Sequence, residues 1–460
     1  MPAVFSPDLI FESFNMKKVL ILGAGLVARP IVKHLLGNGY QLTVADIIQS
    51  KAAELTANHP HADAIALNVE DETELGNLIA GHDLTVSLLP YVFHVQVAKH
   101  CIRYRKNMVT TSYVKPEMEA LDTLAKEAGI IILNEMGLDP GIDHMSAMRI
   151  IDHVHAKDGK VLEFYSICGA LPAPEAADNP FQYKFSWSPK GVVMAGNNDA
   201  RYLKNGSEVF VPTAELFRNP ASVDFKGVGK LNIYPNRDSI SYIDIYGIPE
   251  VQTMMRGTFR YPGWCDALDA IKQLSLISYD KFDMSGMNFA QLVAHQMGIQ
   301  RADGIRNKVA AYLGIESCAH ALDAIEWLGL FDESPMNRGL DSPFEVTSDL
   351  MIGRMELGFK ERDMIALQHT FLAEYPDGNR EIIRSRMLDF GSPSTDTSIA
   401  RTVALPAAIG VEMILKGQIT VKGVFRPVIP EIYIPVLDAL EKLDIRMEEE
   451  YGLPMSENIS

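Results

Sequence analysis

The sequence predicts an α/β protein: a doubly wound parallel sheet first, then an α+β region broken by an all-helical insertion. Three observations carry this. Between residues 17 and 134, short continuous apolar runs alternate with amphipathic stretches. After residue 160, longer strand-like runs and a hairpin signal take over, and between 262 and 350 strand signals give way to helical spacing. At 460 residues the chain has room for about three domains of about 150 residues each.

The first six runs are Val19-Leu20-Ile21-Leu22, Leu42-Thr43-Val44-Ala45, Ala64-Ile65-Ala66-Leu67, the stretch 84–89, Met108-Val109-Thr110 and Ile130-Ile131-Ile132-Leu133. Each is continuous rather than alternating, as suits strands of a parallel sheet covered on both faces. Strand-like 161–168 leads into the Pro- and aromatic-rich segment 171–187, whose Tyr183, Phe185 and Trp187 favour an ordered functional loop. Further strands are expected at 230–235 and 251–261, and a hairpin around Pro376-Asp377-Gly378 with arms 364–375 and 380–390. Helical spacing appears in Ala267, Ile271, Leu274 and in Ala321, Leu322, Ile325, Leu328. Residues 395–451 read as two helices separated by the Gly/Pro-rich stretch 417–435.

Composition narrows the function classes. The 42 Lys+Arg against 59 Asp+Glu give a net charge of −17, which repels phosphate backbones and anionic membranes, so neither nucleic acid nor a membrane is an expected partner. No apolar run is expected to reach the length needed to span a bilayer. Cys101, Cys168, Cys265 and Cys318 are widely spaced and read as reduced, buried thiols, pointing to the cytoplasm. The first fifteen residues carry Asp8 and Glu12 but no Lys or Arg, and read as a short extension rather than a signal peptide. In so acidic a protein, a small anionic substrate requires a local arginine cluster.

Gly23-Ala24-Gly25-Leu26-Val27-Ala28 follows the first strand and opens a helix, matching G-x-G-x-x-A. Gly23 permits the tight turn, Gly25 lets a pyrophosphate approach the backbone, and Ala28 allows close helix packing. Asp46 ends the second strand, where a carboxylate accepts from the ribose 2′-OH of NAD and repels the 2′-phosphate of NADP. Neither Ile47 nor Ile48 supplies a counter-cation, so NAD is favoured and NADP stays open. Ser87 and Leu88, at the end of the fourth strand, stand where open α/β sheets take ligands.

At the ends of the fifth and sixth strands stand Thr111-Ser112-Tyr113 and Glu135-Met136-Gly137-Leu138-Asp139-Pro140-Gly141-Ile142-Asp143-His144. Their position suits a ligand; turn chemistry accounts for them equally well. In Met255-Arg256-Gly257-Thr258-Phe259-Arg260-Tyr261 the strand period sets Arg256, Thr258 and Arg260 on one face, a receptor for carboxylates, with Arg237 as a third cation. His94 and His144 read as core or capping histidines, and no histidine spacing suggests a metal.

These motifs resemble the saccharopine dehydrogenase, L-glutamate-forming (saccharopine reductase) family. The match runs through Gly23-x-Gly25, Ser87-Leu88-Leu89-Pro90-Tyr91, Thr111-Ser112-Tyr113, Gly137-Leu138-Asp139-Pro140-Gly141-Ile142-Asp143-His144 and Leu171-Pro172-Ala173-Pro174-Glu175. It continues through Tyr183-Lys184-Phe185-Ser186-Trp187-Ser188, Tyr234-Pro235-Asn236-Arg237-Asp238-Ser239 and Arg256-Gly257-Thr258-Phe259-Arg260-Tyr261. The resemblance implies a variant Rossmann domain over 16–134 and 395–455, an α+β substrate and dimerisation domain over 135–261 and 351–394, and a helical lid over 262–350. It implies a homodimer. It also implies substrate contacts at Ser112, Tyr113, Asp139, Arg237, Thr258, Phe259 and Arg260, and cofactor contacts at Gly23, Gly25, Leu26, Val27, Ser87, Leu88, Leu138, Asp139, Pro140 and Ser188. Two departures stand out. Similar fungal enzymes that use NADP carry an arginine after the second strand, where this chain has Asp46-Ile47, and Cys168-Gly169-Ala170 replaces the more usual Cys-Gly-Gly.

The implied reaction is oxidation of saccharopine, a secondary amine with three carboxylates, to an imine that water cleaves to L-glutamate and 2-aminoadipate 6-semialdehyde. Lysine metabolism uses this chemistry in both directions. The amine is protonated near neutral pH, so a base is required. Asp139 is the first candidate, with Tyr113 and Cys168 behind it. A carboxynorspermidine dehydrogenase-like enzyme or a non-catalytic NAD(H) sensor are the alternatives; the arginine face argues against the first and is unexplained by the second.

Overall fold

The computed structural model describes residues 16–457, so the expectation for the first fifteen lies outside the described part. The chain divides into two compact units: one runs to Asn134 and adds Ala407–Phe425, the other comprises Glu135–Pro406 and the chain from Arg426 onward.

In the first unit the six apolar runs become β1 (Lys18–Leu22), β2 (Gln41–Asp46), β3 (Ala62–Ala66), β4 (Leu84–Ser87), β5 (Asn107–Thr110) and β6 (Ile131–Leu133). With Gly423–Phe425 they form a seven-stranded sheet in the order Gly423–Phe425, β6, β5, β4, β1, β2, β3, and every pair is parallel. Strand order reverses between β1 and β4. Ligands bind at such a switch point, outside the carboxyl ends of the strands. The run Val19 to Leu22 is wholly buried, as two-sided coverage requires. Leu20, Leu22, Leu75, Ile79, Val97, Met108 and Ile132 share one core cluster.

The second unit holds a nine-stranded sheet. Its strands include β7 (Lys160–Pro172), β8 (Ala200–Lys204), β9 (Ser207–Val211), β10 (Ala221–Phe225), β11 (Gly229–Pro235) and β12 (Thr253–Arg260). The hairpin Asp363–Glu374 and Arg380–Phe390 pairs in unbroken register from Met364↔Phe390 to Glu374↔Arg380, and its first arm lies antiparallel to β7. β12 runs parallel to β7 and antiparallel to β11. Phe164 of β7 and Phe371 stack at 4.2 Å.

Three differences from the sequence expectations have physical causes. The C-terminal return to the first unit ends at Phe425 rather than 455. Helix Pro430–Glu441 buries Ile432, Val436 and Leu437 and bonds Asp152 through the Tyr433 hydroxyl, while Glu448–Leu453 forms an unforeseen strand against Arg380–Phe390. Second, the insertion is not wholly helical. Phe282–Asp283 pairs with Leu340–Asp341, and Trp264, Leu268, Ile271 and Leu322 share a core with Ile167, Leu231 and Phe259, so packing does not break at residue 262. Third, helix Ser398–Leu415 is 18 residues long with mean hydropathy 1.5, long and apolar enough by length and composition to cross a membrane; 78% of it is buried. Arg401 and Glu412 interrupt its apolar run, which hid that length from the sequence reading.

Candidate active site

Each unit contributes a distinct group of functional side chains. In the first, Gly23 follows β1 with φ +102, a left-handed conformation, and a Cβ there would lie 2.9 Å from the Leu88 carbonyl oxygen. Only glycine fits that turn. The Gly23 N–H donates to the Ala45 carbonyl at 2.8 Å, and the Leu88 N–H to the Leu22 carbonyl at 2.8 Å, bringing β1, β2 and β4 together at their carboxyl ends. Gly25 and Leu26 are exposed, and a Cβ on Gly25 would meet nothing within 4 Å. The turn therefore leaves its backbone open to a pyrophosphate, ahead of the helix Ala28–Gly37 entered through Val27.

Asp46 ends β2 with both carboxylate oxygens engaged. Oδ2 accepts the Ala24 N–H at 2.8 Å and Oδ1 the Ile48 N–H at 2.9 Å. The carboxylate is thus fixed against the glycine turn. Ile47 is 71% exposed, leaving an apolar surface where a 2′-phosphate would need a cation. These residues fit a nicotinamide dinucleotide. At the ends of β4 and β5, Ser87 is fully buried while Ser112 and Tyr113 are half-buried.

In the second unit the loop after β6 folds back on itself. Gly141 has φ +148, and a Cβ there would sit 2.0 Å from the Gly137 carbonyl oxygen, so the Gly137 to Gly141 contact requires glycine. The Gly141 N–H donates to Asp143 Oδ1 at 2.6 Å. Leu138 and Pro140 are buried, whereas the Asp139 side chain keeps 20% of its exposure. The helix Ile142–His155 starts here and carries Asp143 and His144 inward.

Arg256 joins these acids. Its guanidinium lies 2.5 Å from Asp139 Oδ1 and 2.9 Å from Asp143 Oδ2, over the ring of Tyr242 at 4.2 Å. The expected role in gripping substrate is therefore corrected: Arg256 serves internal carboxylates, because a fully buried Asp143 needs a counter-ion. His144 extends the network, 2.8 Å from Glu135 Oε2 and 2.7 Å from the Tyr246 hydroxyl. Burial pushes the His144 imidazole down, but Asp143 and Glu135 outweigh it and raise it above its ordinary value, favouring the charged form. Arg426 donates to the other Glu135 oxygen at 3.1 Å. Three carboxylates thus face three cations.

Arg260, two pleats along from Arg256, is different. It is 5% exposed, and no carboxylate pairs with it among the described residues. Its guanidinium stands over the rings of Tyr183 at 4.9 Å and Trp264 at 5.3 Å, with one N–H donating to the Phe259 carbonyl. Arg260 Nε and the Trp264 indole N–H are buried without a hydrogen-bond partner among the described residues. Arg237 is exposed, and Thr258 half-buried on the same strand face as the arginines.

Other expected residues fall elsewhere. Phe259 is fully buried on the opposite sheet face, its ring edge-on to Phe225 at 5.5 Å, so its side chain belongs to the core. The Cys168 thiol is held well above its ordinary value by burial, then by Asp139 and Asp143, so it keeps its proton near neutral pH and cannot serve as the base. Ser188 is exposed before the helix Pro189–Ala195, and Cys318 is exposed rather than buried. The sequence reading quoted Glu135 in its motif without giving it a role, and missed Tyr242, Tyr246 and Arg426. A glutamate and two aspartates inside the largely apolar stretch 130–151 were the available signal, since buried charges require partners.

Comparison with known proteins agrees with this architecture. The family model for the saccharopine dehydrogenase C-terminal domain matches residues 137–445, and that for the saccharopine dehydrogenase NADP binding domain residues 19–133. The chain is 36% identical over 456 residues to saccharopine dehydrogenase [NADP(+), L-glutamate-forming] of Pyricularia oryzae, covering 96% of this chain and 99% of the relative. It is 37% identical to the mitochondrial alpha-aminoadipic semialdehyde synthase of Mus musculus, matching 92% of this chain but 47% of that longer protein. The solved apo saccharopine dehydrogenase (L-Glu forming) of Saccharomyces cerevisiae superposes with a TM-score of 0.87 at 34% identity, covering 95% of this chain and 99% of that one. A full-length match of this kind in both sequence and fold places the chain in the saccharopine dehydrogenase family.

Proposed function

We propose that this chain is the L-glutamate-forming oxidoreductase of saccharopine, converting it to L-glutamate and 2-aminoadipate 6-semialdehyde or running the reverse reaction in lysine metabolism. The observation that carries this reading is Arg260. A buried guanidinium without an acidic partner is costly unless a ligand supplies the anion. The unpartnered indole N–H of Trp264 beside it adds a second donor suited to a carboxylate. Arg237 offers a further cation to a substrate with three carboxylates. A polycationic substrate of the carboxynorspermidine type would find no counter-charge at Arg260.

When bound, the nicotinamide dinucleotide supplies a hydride acceptor. The glycine turn 23–25 receives its pyrophosphate, and Asp46 its adenosine ribose. Asp139 takes the proton of the secondary amine, held in place by Arg256. The Cys168 thiol stays neutral and available only as a donor. Absorbance at the reduced-nicotinamide band with saccharopine and oxidised cofactor tests the assignment. Turnover coupled to glutamate release supports it, and no turnover with either cofactor refutes it.

Cofactor preference is the finer part of the proposal. The matching family model describes an NADP binding domain and the fungal relatives carry NADP(+) in their names, yet Asp46 followed by Ile47 and Ile48 favours NAD here. A fixed carboxylate against a 2′-phosphate costs several kcal/mol, so kcat/KM for NAD should exceed that for NADP by about 100-fold. The double substitution Asp46→Ser with Ile47→Arg should invert the preference. Equal use of both cofactors by the unaltered protein would remove Asp46 from this role.

A further inference from the structure

His94 opens the helix His94–Tyr104 and is buried. Its Nδ1 lies 2.8 Å from the Ser87 hydroxyl at the end of β4, and its Nε2 lies 2.7 Å from the Ser112 hydroxyl just beyond β5. A capping histidine would bond the backbone. This one is instead spent entirely on two hydroxyls from neighbouring strands. Ser87 has no exposed surface and Ser112 is half-buried, so the chain of contacts runs from the interior to the carboxyl edge of the sheet, where open α/β folds take ligands.

We propose that His94 is a positioning residue: through its ring, the buried Ser87 fixes the orientation and hydrogen-bonding polarity of the Ser112 hydroxyl presented to the ligand at the carboxyl edge of this sheet. Burial, then the nearby Lys115, pushes His94 down to about 4, so the imidazole is neutral at working pH. A neutral imidazole has one N–H and one bare nitrogen. One serine therefore donates into the ring and the other accepts from it. The two hydroxyls hold opposite roles, and Ser112 cannot turn without breaking the chain. Phenolic, thiol or carboxylate replacements for the ring would not reproduce that pair of opposite contacts.

The inference rests on the saccharopine reading, and amide substitutions test it separately. An asparagine amide reaches the place of Nδ1 and serves only Ser87; a glutamine amide reaches the place of Nε2 and serves Ser112. His94→Asn should lower kcat/KM for saccharopine about tenfold with the KM for the dinucleotide within about twofold, and His94→Gln should recover it to within about threefold. Adding His94→Asn to Ser112→Ala should cost nothing more, because both remove one contact. A merely structural histidine predicts the reverse: Asn, which satisfies the buried Ser87, rescues better than Gln, and the two losses multiply. Either result overturns the proposal. Should His94→Asn fail to fold, Ser87→Ala removes the far end of the chain with a smaller change. It should lower kcat/KM about threefold, and not at all in the Ser112→Ala background; an equal loss in both backgrounds refutes the idea. Failure of the saccharopine reading shows differently, as no turnover by the unaltered protein. In that case the imidazole 15N resonances decide: the Nε2 signal moves on Ser112→Ala if the contact exists and stays if it does not.

Discussion

Replacing Arg256 by methionine is expected to destabilise the second unit by about 3 to 5 kcal/mol, the usual effect of removing one partner from a buried ion pair. Asp143 is fully buried and Asp139 keeps 20% of its exposure, and both lean on this one guanidinium. Methionine fills most of the volume, so the loss reports charge rather than a cavity. In thermal unfolding this corresponds to a fall of about 10 °C in Tm. Adding Asp143→Asn should restore much of it, because the amide removes the fully buried charge that Arg256 compensates. Arg260→Met, on the same face of the same strand, is the control. Among the described residues no acid pairs with it, so its loss should leave Tm within about 2 °C while lowering kcat/KM for saccharopine at least about 100-fold, the effect of a lost charge-assisted pair. If Arg260→Met proves the more destabilising of the two, the division of labour between these arginines is wrong.

That division marks the limit of what the residues disclose before folding. The parallel sheet was legible, because continuous apolar runs admit few alternatives and the glycine turn with Asp46 fixed the ligand edge. Period-two reasoning correctly set Arg256 and Arg260 on one face. It could not say that Asp139 and Asp143, more than 100 residues earlier, would occupy the first and leave the second free, since pairing across that separation depends on packing β12 beside β7. The β8–β9 hairpin was missed although Asn205-Gly206 is a turn signal, because its five-residue strands are mostly exposed or half-exposed and offer only the short apolar run Val209-Phe210-Val211. Gly423–Phe425 and Glu448–Leu453 were missed for related reasons: three residues give no periodicity, and Glu448-Glu449-Glu450 reads as solvated surface until Arg386 lies beside Glu450. His94 looked like a core residue and is buried as one, but both its nitrogens are committed.

Asp139→Asn should lower kcat about 100- to 10,000-fold near pH 7 while leaving KM for saccharopine within about threefold, the range expected for loss of a general base. Three carboxylates share this region, and exposure separates them: Asp143 has none, Glu135 keeps 3%, and Asp139 keeps 20%. Only Asp139 presents a surface to a ligand. The asparagine retains an oxygen for Arg256, so the fold should persist and the loss be kinetic. Its pH dependence is the sharper test. A secondary amine of this kind releases its proton in the region of about pH 8 to 10, and once it is free no base is needed. The variant should therefore recover activity by about tenfold per pH unit until the amine is fully deprotonated, whereas the unaltered enzyme should change little over the same range. Cys168 cannot take over, because its thiol holds its proton there. An Asp139→Asn protein with undiminished kcat, or one whose deficit does not shrink as pH rises, would move the proton-accepting role to Tyr113.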